Sequence, residues 1–318
     1  MVNNNFRPNS WNEFLGQSQI ISNLKIYVES ARQQNKTLDH LLIHGSSGMG
    51  KTSLAFLISK VMKSKLHILN GPSIQKPSDL IAVLSALKPS DILFIDEVHA
   101  ISKEILEILY PVLEDNKMNL VIGKDYNSKI INVSLPEFTI ICATTEIYKL
   151  SYPLLNRFPI HFQIMDYSLS EMSQIIKNAS NRIDLQLSTS SCEFIASYCR
   201  NTPRIAINLV NRIKDYIITK HVNCTNIVSL KTIFKQMGIY SQGLTNNDVE
   251  YLKILKEHKT LGIESLAQIL DAPIATIIQN IEPVLIREQF VLRTLRGRMI
   301  TDKGLKYLSE IFNKEAAN

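Results

Sequence analysis

The chain has no CxxC pair. Its four cysteines (Cys142, Cys192, Cys199, Cys224) are scattered through 318 residues, and seven histidines add no ligand spacing to them. That argues against a zinc ribbon or a dithiol redox centre and favours reduced, partly buried thiols. HVNC at 221–224 is the nearest approach to a metal set. Long apolar runs are also missing: none approaches the ~20 residues that cross a bilayer. The start, MVNNNFRPNSW, has neither the basic nor the apolar region of a signal peptide, so the expectation is a soluble, cytoplasmic protein with no membrane partner. Internal repeats and low-complexity segments are absent as well.

The net charge of +6 and pI near 9.0 permit a polyanionic partner without establishing one. At roughly 150 residues per domain, the length suggests two or three domains.

The first half alternates short apolar runs with amphipathic stretches. LLIHG (41–45), KLHILNG (65–71), DILFIDE (91–97), FTIICATT (138–145) and IHFQIM (160–165) read as strands, separated by stretches such as KEILEILYPVLED (103–115). Continuous apolar runs predict strands covered on both faces of a parallel sheet, hence an α/β core. Between them, MNLVIGKDYNSKIINVSLPEF (118–138) carries two period-two runs around GKDYNSK, consistent with a projecting β-hairpin or a connecting loop. From about residue 168 the pattern turns helical. After SQG (241–243), three helical stretches followed by FVLRTLRGRMIT predict a winged helix. The expected division is an α/β domain at 1–167, an all-helical domain at 168–240 and a winged-helix domain at 241–318.

GSSGMGKT (45–52) fits G-x-x-x-x-G-K-[ST], with an apolar strand running in and a helix running out. Gly48 and Gly50 permit the tight path that turns several N–H groups and a helix N-terminus toward phosphates. Lys51 supplies a point charge to the β/γ-phosphates, the Thr52 hydroxyl is a Mg²⁺ ligand, and Ser53 completes the predicted cradle. ILFIDE ends an apolar strand in Asp96, a second Mg²⁺ ligand, and in Glu97, placed to polarise an attacking water. The pair could also cap the next helix. FTIICATT ends in two threonines, of which Thr145 is the better placed to position that water. These residues predict ATP/ADP and Mg²⁺ as cofactors and ATP hydrolysis as the activity.

In the carboxy-terminal unit, 287–306 holds Arg287, Arg293, Arg296, Arg298, Lys303 and Lys306 against Glu288 and Asp302. Arg293, Arg296 and Arg298 lie on the predicted strand–turn–strand, where backbone contact with duplex DNA is the expected role. A solvated basic turn is the plainer alternative. In YPLLNRFPI (152–160), the single cation Arg157 reads either as a locally paired surface charge or as one directed outside the subunit.

RPNSWNEFLGQ (7–17), LDHLLIHGSSGMGKTSLA (38–55), ILFIDEVHAI (92–101), CATT with LSYPLLNRF (142–158), TPRIA (202–206) and RTLRGRMIT (293–301) together resemble the RuvB family of AAA+ ATPases, the bacterial Holliday-junction motors, from about residue 6 to 308. The resemblance implies a homohexameric ring on duplex DNA, loaded by RuvA, driving branch migration in recombination and repair, with the resolvase RuvC as a further partner. It implies an adenine pocket from Arg7, Phe14, Leu15, Tyr167 and Pro203, a second-sensor role for Arg204, a trans-acting finger in Arg157 and a RuvA-docking role for the hairpin at 118–138. The chain departs from the family at Ser46-Ser47, Ala100, Leu155 and Pro159, in ATTEIYK, and in lacking a GGP near 258–261. A clamp-loader-like or helicase-loader ATPase, or a DNA-binding regulator without useful hydrolysis, remain the alternatives.

Overall fold

In a computed structural model, the structure describes residues 6–122, 129–220 and 226–316. The GKDYNSK tip of the hairpin, apart from Lys129, and the HVNC stretch lie outside the described residues. The chain divides into two compact units, Met1–Tyr167 and Ser168–Asn318.

In the first unit, α1 (Ser18–Gln33), β1 (Leu41–His44), α2 (Lys51–Met62), β2 (Leu66–Asn70), α3 (Pro77–Ser85) and β3 (Ile92–Asp96) alternate. The order continues with α4 (Lys103–Asp115), the pair β4 (Lys117–Ile122) and β5 (Lys129–Ser134), then β6 (Thr139–Thr144), the single turn α5 (Tyr152–Leu155) and β7 (Ile160–Gln163). Five strands form one parallel sheet in the order β2-β3-β6-β1-β7. Its inner strands are the continuous apolar ones: Leu41, Leu42 and Ile43 are inaccessible, as are Leu93, Phe94 and Ile95 and the run Ile140 to Ala143. Helices on both faces require that, whereas the edge strand β7 alternates buried Ile160 and Phe162 with exposed His161 and Gln163.

The helix α4 buries Ile105, Leu106, Leu109, Val112 and Leu113, one stripe at 3.6-residue spacing, and Ser102 caps its amino end by accepting from Ile105 N–H. The stretch at 118–138 is a hairpin, not a loop: β4 and β5 pair antiparallel from Lys117↔Ser134 to Ile122↔Lys129. Met118 and Phe138 anchor its root in the core.

The second unit begins with α6 (Leu169–Asn181), α7 (Thr189–Ala196), α8 (Pro203–Lys220) and α9 (Ile227–Gln236). Side chains of Ser168, Ser188 and Asn226 cap α6, α7 and α9. Then come α10 (Asn246–His258), β8 (Thr260–Leu261) and α11 (Ile263–Ile269). The next helix is longer, made of α12 (Ile274–Thr276), a π-helical turn (Ile277–Ile281) and α13 (Glu282–Arg287). The unit ends with β9 (Val291–Thr294), β10 (Gly297–Ile300) and α14 (Asp302–Ala316). The three strands form an antiparallel sheet, β8-β10-β9, which completes the winged helix. Ile277 and Ile281 enter its core, while Ile274 and Ile278 stay more than a third exposed. Gly297 opens β10 at φ +130°, and a Cβ there would lie 2.3 Å from the Leu261 carbonyl oxygen, so the wing meets β8 only with glycine at this point.

The helical bundle and the winged part are joined through Arg200. Its Nε donates to the Gly243 carbonyl at 2.7 Å and its Nη2 to Asp248, which is 1% exposed. Asp248 also accepts from the Thr245 N–H and hydroxyl at 2.7 Å each, closing the amino end of α10. The Tyr307 hydroxyl donates to the Ser241 carbonyl in the same joint.

Candidate functional site

The sheet order explains the first site. β1, β3 and β6 are neighbours, so their carboxyl ends bring Gly45, Asp96 and Thr145 side by side, the end of an open α/β sheet where ligands bind. Gly45, Gly48 and Gly50 have φ of +148°, +78° and +106°, the left-handed region that a loop wrapped around phosphate requires, and α2 begins immediately at Lys51. Lys51 is 6% exposed and donates to the carbonyls of Gly45 (2.7 Å) and Ser46 (3.0 Å). Ser53 lies half-buried in the same first turn.

The Thr52 hydroxyl donates to Asp96 Oδ2 at 3.0 Å. A hydroxyl and a carboxylate converging in this way are hard oxygen donors of the kind Mg²⁺ takes, with phosphate and water completing its shell. Among the described residues, no group of three or more His, Cys, Asp or Glu offers an all-protein metal cage. The donor set therefore fits a metal that arrives with a phosphate.

Glu97 adopts φ +50° at the end of β3, and its Oε2 accepts from Thr145 N–H (3.0 Å) and the Thr145 hydroxyl (2.9 Å). Thr145 thus touches the carboxylate, where the sequence pointed to a water. Gly71 lies against the main chain here: a Cβ on it would sit 2.2 Å from the Glu97 carbonyl oxygen. A histidine that sequence reasoning missed, His99, lies 3.3 Å from Glu97 and 2.9 Å from Glu146. The only signal for it was its place two residues after Glu97.

Of the expected adenine-side residues, Phe14 and Tyr167 are buried together against the phosphate loop. A Cβ on Gly50 would lie 3.6 Å from each, and the Tyr167 hydroxyl donates to the Met49 carbonyl at 3.0 Å. Leu15 comes directly after Phe14, half-buried. Arg7 is placed over the Phe56 ring of α2, 3.6 Å from its centroid. Pro203 and Arg204 open α8 in the second unit, with Arg204 exposed.

Arg157 is held within its own subunit. Its guanidinium donates to the Pro153 carbonyl (2.7 Å), pairs with Glu114 (3.1 Å) and lies 4.4 Å from the Tyr110 ring centroid. Its Nε is buried without a hydrogen-bond partner among the described residues. Glu114 and Tyr110 come from α4, more than forty residues away in sequence.

The second site is the wing. Arg293 and Arg298 face each other across β9 and β10, an arrangement that like charges disfavour. Glu282, inaccessible beneath them, resolves it: Arg298 Nε donates to Oε1 and Arg293 Nε to Oε2, each at 2.8 Å, and the Tyr251 hydroxyl donates to Oε1 at 2.9 Å. Burial pushes the Glu282 carboxyl up, but the donors from Arg298, Tyr251 and Arg293 hold it below its ordinary value. Burial and the adjacent carboxylate push the Tyr251 phenol up. Arg298 is 16% exposed and Arg293 48%, while Arg296, at the exposed turn, stands next to the fully exposed Leu295. Of the three arginines read from the sequence as facing DNA, two thus have a carboxylate partner within the fold.

Family models match the whole arrangement in order: Holliday junction DNA helicase RuvB P-loop domain over residues 6–164, RuvB AAA lid domain over 167–239, and RuvB C-terminal winged helix domain over 241–309. The chain is 39% identical over 305 residues to the Holliday junction branch migration complex subunit RuvB of Mycoplasmopsis synoviae, covering 95% of this chain and 96% of that protein. It is 40% identical over 308 residues to its counterpart in Mesomycoplasma hyopneumoniae, covering 96% and 97%. The solved Thermotoga maritima RuvB Holliday junction branch migration motor superposes with a TM-score of 0.82 at 33% identity, over 96% of this chain and 98% of that one. In sequence along nearly its whole length and in fold, the chain belongs to the RuvB family.

Proposed function

We propose that this protein is an ATP-hydrolysing motor that drives branch migration of Holliday junctions, working as a homohexameric ring on duplex DNA with RuvA as its loading partner. The observation that carries the reading is the convergence of Lys51, Thr52, Asp96, Glu97 and Thr145 at the carboxyl ends of three neighbouring strands, in a chain that also bears a basic wing. The domain division proposed is 1–167 for ATPase, 168–240 for lid and 241–318 for DNA binding, which the limits of the three family models support. The location proposed is the cytoplasm, in keeping with the chain's similarity to Holliday junction branch migration complex subunits; no single helix among the described residues is long and apolar enough to cross a membrane.

In the proposed reaction the loop glycines and Lys51 hold the phosphates of ATP, and Phe14 and Tyr167 lie on the base side. Mg²⁺, held by Thr52 and Asp96, would neutralise charge on the phosphoryl oxygens. Glu97 takes the proton of the attacking water, oriented through Thr145. Arg204 serves as the lid cation, and Arg157 acts on the nucleotide of the next subunit. Arg296, with the exposed part of Arg293, contacts the DNA backbone, and the hairpin at 118–138 docks RuvA.

The test is branch migration of a synthetic four-way junction with ATP, Mg²⁺ and the cognate RuvA. Separation of the junction into duplex products, lost in the Glu97→Gln variant, is the expected result. Inactivity on the junction together with robust ATP-dependent loading on a primed clamp substrate would instead support the loader reading.

A further inference from the structure

The ends of β3 and β6 are interleaved more tightly than the Glu97–Thr145 pair requires. His99 reaches across this crossing with both ring nitrogens. Nδ1 lies 2.9 Å from the Thr144 hydroxyl and 3.3 Å from Glu97 Oε2, while Nε2 lies 2.9 Å from Glu146 Oε2. Thr144 is inaccessible, and its hydroxyl accepts from the Glu146 N–H at 3.0 Å. Three consecutive residues of one strand end, Thr144, Thr145 and Glu146, therefore grip two residues of the other, Glu97 and His99.

Glu146 is itself anchored. Lys149 Nζ donates to Oε2 at 2.8 Å and the Tyr148 hydroxyl to Oε1 at 2.6 Å. These two donors, Lys149 first, hold its carboxyl below the ordinary range. It is thus an anion fixed in direction, and an imidazole beside a fixed carboxylate takes a fixed tautomer and ring orientation. At the other end, the Thr145 N–H and hydroxyl both donate to a single oxygen of Glu97, Oε2, and His99 Nδ1, which in this tautomer accepts from the Thr144 hydroxyl, packs 3.3 Å from that oxygen and limits its swing. Contacts gathered on one carboxylate oxygen prevent rotation about the last side-chain bond and leave the direction of Oε1 determined. A general base needs that before its basicity matters, because geometry precedes proton transfer.

We propose that His99, anchored by Glu146, is a positioning residue for hydrolysis that fixes the orientation in which Glu97 meets the attacking water. The proposal rests on the reading of Glu97 as the general base. His99 touches neither nucleotide nor water in this role; it acts through Glu97. Glu146 is the distinctive part, since it holds the far ring nitrogen of His99.

The experiment is steady-state ATPase kinetics of the full chain with its DNA and RuvA, with thermal unfolding measured on each variant. His99→Ala should lower kcat by ~10–100-fold, the range seen when the partner of an oriented group is lost, with KM within about threefold of wild type. Glu146→Ala should lower kcat less, with an unchanged unfolding temperature, and Glu146→Gln, which keeps an acceptor for Nε2, should recover part of that loss. The double variant His99→Ala/Glu146→Ala should be no slower than His99→Ala alone, because groups acting in series do not add. If His99→Ala fails to fold, the Glu146 pair still decides: wild-type kcat in Glu146→Ala, or no difference between Ala and Gln, overturns the proposal. Multiplicative losses in the double variant, or a loss expressed in KM, overturn it as well. Wild-type turnover in Glu97→Gln would instead remove the base assignment itself, a failure that the single variants distinguish from failure of the positioning role.

Discussion

Arg157, at the edge of the first unit, and Arg298, in the wing, are both arginines resting on a glutamate, but the two pairs differ in kind. Glu114, the partner of Arg157, is 55% exposed, and Glu282, the partner of Arg298, is 0% exposed. An ion pair with a solvated carboxylate is worth ~0–1 kcal/mol, since water replaces either partner at little cost. A carboxylate without access to water has no such substitute, and removing one partner of a buried pair costs roughly 3–5 kcal/mol. The Glu114 contact of Arg157 is therefore weak, the Pro153 carbonyl and the Tyr110 ring supply the rest of its hold, and its Nε has no hydrogen-bond partner among the described residues. Arg298 is part of the fold. Counting cations in a sequence cannot separate these cases; the burial of the partner does.

The sharpest way to break the comparison is to remove each arginine's function in turn. Arg157→Ala subunits should lose ATPase by ~10³-fold, the size of effect expected of a finger supplied in trans. Mixed with Lys51→Ala subunits, they should regain part of it, because one partner brings the intact loop and the other the intact arginine. Steady-state hydrolysis across mixing ratios reads this, and no recovery in rings that assemble normally would return Arg157 to a surface charge.

On the other side, Glu282→Ala should destabilise the protein by roughly 1–4 kcal/mol, because it strands the buried Tyr251 hydroxyl and leaves two facing arginines without their common anion. Urea unfolding monitored by circular dichroism measures it, and a loss under about 1 kcal/mol would show that solvent already screens the pair. Glu114→Ala is the matched control and should change stability by less than about 1 kcal/mol.

The smallest effect belongs to the wing's exposed cation. Arg296→Ala should weaken duplex binding and reduce the slope of log affinity against log salt by about one, the signature of a single lost phosphate contact. ATPase without DNA should persist. Fluorescence anisotropy at several salt concentrations is the measurement, and an unchanged slope would move the contact to Arg293.

Much of the fold was legible because periodicity is local information. The inner strands of the sheet were visible as continuous apolar runs, and the phosphate loop as a strand, three glycines and a lysine in fixed order. The partners of charged groups were not visible. Glu114 meets Arg157 through the packing of α4 against the segment around α5, and no spacing rule encodes that contact. Glu282 was hidden for another reason. A wheel of 3.6 residues drawn through Ile277, Ile281, Val284 and Leu285 places it off that buried stripe, and it is covered instead by the wing, whose Arg293 and Arg298 donate to it. His99 was hidden in plain view, since a histidine after an acidic pair gains meaning only once Glu146 is seen to lie on its far side.

The Arg200 joint has a mechanical consequence. One side chain from the bundle closes the amino end of the first helix of the winged part, and its anion, Asp248, is almost inaccessible. Tyr307, from the last helix, fastens the same connection. With its main-chain groups and side chains so engaged, the segment between α9 and α10 behaves as a welded elbow more than a tether. The bundle and the wing are thereby held in one compact unit, so a rotation of the first carries the second with it.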